Sequence, residues 1–66
     1  MTTRETLEKI APAIRYDIEE IRKDYKNPNV DKNLVRARLS GYTKALASAG
    51  VITESERRIL FNYGTV

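Results

Sequence analysis

The stretch Ala45-Leu46-Ala47-Ser48-Ala49-Gly50-Val51-Ile52-Thr53-Glu54-Ser55-Glu56-Arg57-Arg58-Ile59-Leu60 decides the fold. Small and apolar residues at helical spacing run into Gly50, the residue type that most often ends a helix. Thr53 and Glu56 then stand three apart, the capping-box spacing that starts another helix. Ile59, Leu60 and Tyr63 give that helix an apolar side, and Gly64 is placed to end it. Two helices joined by a short Gly turn read as a helical hairpin.

Working backwards, Val35, Leu39, Tyr42, Leu46 and Ala49 continue the apolar stripe, widened by Leu34 and Ala45. Asn29 or Asp31 can cap this helix. The preceding Lys26-Asn27-Pro28-Asn29 reads as a loop. Upstream, Leu7, Ala11, Ile14, Ile18, Ile21 and Tyr25 alternate spacings of four and three, within an arc of about 80° on one helix face. Ile10 extends this arc. Thr2 and Glu5 form a first capping box. Pro12 interrupts the pattern, either as a kink within one helix or as the first residue of a second helix. The stripe passes through Pro12 in register, and Pro12 lies about 160° from its centre, where a convex bend is natural. This favours one kinked helix. The expectation is therefore an all-α single domain over residues 1–66, with helices over about 3–25, 31–49 and 54–63 and the long first helix packed on the hairpin. No useful alternating run exists to make a strand.

Composition narrows the chemistry. With 66 residues there is room for one small domain, and 41% hydrophobic and 32% charged residues suit a globular chain. The chain has no Cys and no His, which removes disulfides, thiol nucleophiles, Cys-based zinc sites and the usual neutral-pH proton shuttle. No base–nucleophile constellation can be named. Asp17 and Glu20 share a helix face one turn apart and read as solvated surface. The three glycines form no phosphate loop. The expectation is a non-enzyme without cofactor or metal. No apolar h-region or membrane-length run is present, so the chain reads as a cytoplasmic protein of the kind a bacterial or phage accessory gene encodes.

Charge is unevenly placed. Residues 1–26 carry six basic and six acidic side chains, and residues 27–66 carry six basic and three acidic, so the whole excess of +3 lies in the later half. Lys32, Arg36 and Lys44 project from the outer side of the second helix, and Arg57 and Arg58 lie on the third. This pattern admits contact with nucleic acid phosphates as well as an ordinary solvated surface. A helix-turn-helix comparison is unfavourable. The would-be reading helix opens with Glu54 and Glu56, and Glu56 stands where such motifs bury an apolar side chain.

Leu46 to Leu60, centred on Gly50-Val51-Ile52-Thr53-Glu54-Ser55-Glu56, resembles the helical hairpin of SHOCT-type short domains, which carry a Gly-x-Ile-Thr-x-x-Glu turn. The similarity covers about a quarter of the chain, and Arg57 stands where that family prefers an aromatic residue. The resemblance implies a scaffold or binding role.

Residues that break the pattern are the contact candidates. Arg38 falls inside the apolar arc, so either its stem packs while its head reaches water or a carboxylate of the first helix, or it serves an interface. Tyr16 and Phe61 sit opposite the apolar sides of their helices. Ala37, Gly41, Ala45 and Ser48 form a small-residue strip, where close helix approach would offset the cost of Gly41. That approach is expected from the first helix or from a second copy. The function expected is a non-catalytic protein-interaction module, a regulator, inhibitor or adaptor, contacting its protein partner through Tyr16, Arg38, Arg57 and Phe61. The alternative is a basic nucleic-acid-binding protein using the 31–63 hairpin through Arg36, Lys44, Arg57 and Arg58. A further alternative is a self-assembling structural protein, a homodimer through the small-residue strip. No membrane partner is expected.

Overall fold

Three side-chain caps and one proline set the helix starts. A computed structural model describes residues 2–66. Thr2 Oγ1 accepts from the Glu5 N–H at 3.1 Å, and the Glu5 carboxylate accepts from the Thr2 N–H at 3.2 Å. This box opens α1 (Thr3–Lys9). Pro12 opens α2 (Pro12–Lys26) from the first helical position. Asp31 caps α3 (Lys32–Ser48) by accepting from the Asn33 N–H at 2.8 Å. The Thr53–Glu56 box opens α4 (Glu54–Gly64).

The expected kinked first helix is two helices. Ile10 and Ala11 are both extended, with ψ of 159° and 142°. The pyrrolidine ring pushes Ala11 out of helical geometry. Once the chain has turned there, Pro12 sits in the first turn, where its missing N–H costs no helix hydrogen bond. The in-register stripe is still used, but from two axes: Leu7 comes from α1, and Ile18 and Ile21 come from α2, into one core. The architecture is all-α with four helices, and the described residues contain no strand. No helix among them is long and apolar enough to cross a membrane.

Packing centres on α4, which contacts α1, α2 and α3, while α2 also packs on α3. The buried apolar core is Leu7, Ile18, Ile21, Val35, Leu39, Ile52 and Leu60. Two hydroxyls are buried with it, and each is satisfied by the carbonyl four residues back. Thr6 Oγ1 donates to Thr2 O at 3.1 Å and Thr43 Oγ1 donates to Leu39 O at 2.8 Å. The buried side of α3 is rotated from the expected stripe toward Thr43 and Ala47, leaving Leu34, Ala45 and Ala49 exposed. The cause is α4, which covers that flank.

Gly50 ends α3 as expected. Its φ is +75°, Val51 N–H donates to Leu46 O at 2.9 Å and Gly50 N–H donates to Ala47 O at 3.1 Å. This paired arrangement is a Schellman motif. Gly64 has a different role. It is the last residue of α4, buried, and a Cβ there would overlap Leu39 Cδ2. The absent side chain lets the end of α4 lie directly on α3.

Candidate functional site

Three surfaces remain after the core is accounted for. The first is an open groove of about 470 Å³ between the α1–α2 joint and the α3–α4 turn. Ile10, Ala11, Ile14, Val51 and Ile52 supply its apolar lining. Both walls follow from local backbone rules. The Pro12 break holds Ile10 and Ala11 extended, and the left-handed Gly50 turns Val51 outward, 55% exposed. At one side the Lys9 ammonium meets the Glu56 carboxylate at 3.4 Å. Glu56 is 5% exposed. The Thr53 backbone N–H donates to it at 2.7 Å, and this bond, with the Thr53 side chain and Lys9 adding to it, holds its carboxyl below the usual range against burial. Glu56 therefore does occupy a buried position, as a cap and an ion-pair partner.

The second surface is the outer face of α3. Ala37, Gly41, Ala45 and Ser48 are all exposed, and Leu34 beside them is 69% exposed. The expected packing of this strip against the first helix does not occur, because α2 and α4 cover the opposite side of α3. A Cβ on Gly41 would meet nothing. Gly41→Ala is thus expected to raise stability by about 0.5–1 kcal/mol. Gly64→Ala is expected to lower it by about 1 kcal/mol, overpacking against Leu39 outweighing the helix-propensity gain. Thermal denaturation followed by circular dichroism reads both, and equal signs would contradict the packing described.

The third surface is cationic. All nine acidic side chains accept a hydrogen bond or ion pair within the chain. Five of the twelve Lys and Arg side chains pair with carboxylates, which leaves seven among the described residues without one. Lys32, Arg36, Lys44 and Arg58 are in that group, and all four are exposed. Lys32 and Arg36 instead bond neutral oxygens around Tyr25. Lys32 Nζ donates to Tyr25 O and Arg36 Nη2 donates to the Tyr25 hydroxyl, both at 2.7 Å. Lys44 lines a shallow depression with Ala47, Ser48, Glu54 and Arg57.

Tyr16 is 65% exposed on α2. Arg38 reaches an α2 carboxylate, Nη1 lying 3.1 Å from Asp24 Oδ2. Arg57 is mostly covered and its guanidinium binds Glu54, holding that carboxyl below its ordinary range. Phe61 does not turn away from the core as expected. It is half-buried against it, because α4 is enclosed by three helices and its buried arc is wide. The four residues Tyr16, Arg38, Arg57 and Phe61 lie on three different helices, with Arg38 and Arg57 each turned toward an internal carboxylate.

Two polar clusters were invisible in the pattern. At the α2–α4 contact the Tyr63 hydroxyl donates to Glu19 and accepts from Arg22 Nη1 at 3.2 Å, with the guanidinium 4.3 Å from the ring centre. The Glu19 carboxylate raises the Tyr63 hydroxyl pKa, with burial adding to it. At the α2–α3 contact the Tyr42 hydroxyl donates to Asp17 at 2.7 Å. Burial first, then Asp17, pushes its pKa up to about 12. Both tyrosines read as apolar stripe members in the sequence, and an acid one helix away carries no short-range signal.

Among the described residues no group of three or more metal-ligating side chains converges. No family model matches the chain, and no curated protein and no solved structure matches it.

Proposed function

We propose that this chain is a non-catalytic protein-binding module whose contact surface is the groove between the two helix joints. The observation that carries the reading is concave apolar surface of about 470 Å³ with Val51 left 55% exposed at its edge. A groove of this size takes one or two large apolar side chains from a helix of a partner protein. The resemblance of the Gly50–Glu56 turn to SHOCT-type interaction hairpins supports the same role. The chain would act by occupancy, as a regulator, inhibitor or adaptor. Self-association through the outer face of α3 is the competing use of this fold, and light scattering over a dilution series separates the two.

Ala11 offers a clean test. It is the N-cap of α2 and makes no side-chain cap bond. Ala11→Asp adds a favoured capping residue, so the fold should hold or gain about 1 kcal/mol. Ala11 lines the groove, so the substitution also sets a charge at its apolar wall. A partner captured with the unaltered chain, then purified and titrated, should bind Ala11→Asp and Val51→Asp at least about tenfold more weakly. Equal binding by both folded variants would remove the groove from consideration.

A further inference from the structure

We infer that the cationic ridge of α3, continued onto α4, is a binding face for the phosphate backbone of duplex DNA. It shares no residue with the groove and does not rest on it. Lys32, Arg36, Ser40, Lys44 and Ser48 stand four residues apart and form one continuous helix ridge. From Lys32 to Lys44 this ridge runs about 18 Å. Across the α3–α4 depression it meets Arg57, with Arg58 following on the exposed side of α4.

Charge complementarity selects a polyanion. The acidic side chains all accept a bond within the chain, and of the two carboxylates that border the ridge, Asp31 accepts the Asn33 N–H as the α3 cap and Glu54 is held by Arg57. Lys32 and Arg36 are oriented by neutral oxygens and by the Tyr25 ring, whose centre lies 5.0 Å from Lys32 Nζ and 5.4 Å from the Arg36 guanidinium carbon. Their charges are positioned but not cancelled. The character of the ridge favours nucleic acid over protein. Protein interface cores are depleted of charge and rich in apolar anchors, and this ridge carries none. Single strands need open aromatic platforms on which bases stack. Tyr25 and Phe61, the aromatic side chains near the ridge and its α4 extension, are both half-buried. A row of cations winding along the helix, with no open aromatic platform for bases, suits the outside of a duplex, read through phosphates and without sequence preference.

The test is fluorescence anisotropy of a labelled random-sequence duplex. Four phosphate contacts, from Lys32, Arg36, Lys44 and Arg58, predict that affinity falls on the order of a hundredfold between 50 and 200 mM salt. Lys32→Gln and Lys44→Gln should each lower the logarithmic salt slope by about one. Lys23→Gln, which removes the same charge from a paired position on α2, should leave it unchanged. Four results would each overturn the inference: no binding at 50 mM salt; a slope the two ridge variants do not alter; tighter binding of a single strand of equal length; and tighter binding of poly-glutamate of equal charge, which would assign the ridge to an acidic protein.

Discussion

Leu39→Ala is expected to lower the melting temperature by about 10–25 °C, from a loss of about 2–5 kcal/mol. Leu39 is fully buried at the centre of α3, and its δ-carbons lie under the backbone of Gly64 at the end of α4. Truncation removes buried methyl groups and leaves a void that two rigid helices cannot close. A domain of this size holds only about 3–10 kcal/mol in total, so the variant should be partly unfolded at modest denaturant. The geometry makes a sharper statement about the pair. In the natural background a methyl at position 64 collides with Leu39. In the Leu39→Ala background the same methyl enters the void. Gly64→Ala should therefore change sign, from destabilising to stabilising, with coupling of about 1 kcal/mol or more. Urea unfolding of the two single variants and the double variant measures the cycle, and additive values would show that the two positions do not touch.

Glu56→Ala should lower stability by about 2 kcal/mol at neutral pH, through loss of the cap and an unpaired Thr53 N–H. Its pH dependence distinguishes the cause. The Thr53 bonds and Lys9 hold the Glu56 carboxyl below its ordinary value of 4.5 in the folded chain. A depressed folded pKa contributes stability that is fully present above the unfolded value. That stability is lost as pH falls through the folded value. The melting temperature of the natural chain should thus decline from about pH 5 downward. In Glu56→Gln an acceptor for the Thr53 N–H remains but the charge does not, so the acid decline should be shallower while neutral stability falls only part of the way. If Glu56→Ala and the natural chain differ equally at pH 2.5 and pH 7, the charge contributes nothing.

Particular residues show where sequence reading succeeds and where it stops. The Thr2–Glu5 and Thr53–Glu56 boxes, the Asp31 cap and the Gly50 stop are each contained within a few residues, and all four form. Pro12 was ambiguous because the stripe and the ring constrain different things. The stripe reports which side chains seek apolar surroundings, and it is satisfied by one axis or by two. The non-helical backbone that the Pro12 ring imposes on Ala11 gives two, and α1 then packs on α4. Phe61 and the Ala37–Ser48 strip lie elsewhere than their wheel positions suggest for a related reason. A helical wheel gives relative angles, but the number of neighbouring helices decides how wide the buried arc is and where its centre falls.

The sequence by itself determined that this chain is helical, where three of its four helices begin, where α3 stops, and that His and Cys chemistry are absent. These follow from short-range hydrogen bonding, steric rules and composition, which need no distant partner. Tertiary structure alone decided how α1 and α2 share one core, that the two joints face each other across a groove, the close seat of Gly64 on Leu39, and which cations keep their charge unopposed. Each of those depends on groups from different helices meeting in space: the place of Arg38 in the apolar arc points its head to water or a first-helix carboxylate, and the packing of α2 on α3 selects Asp24.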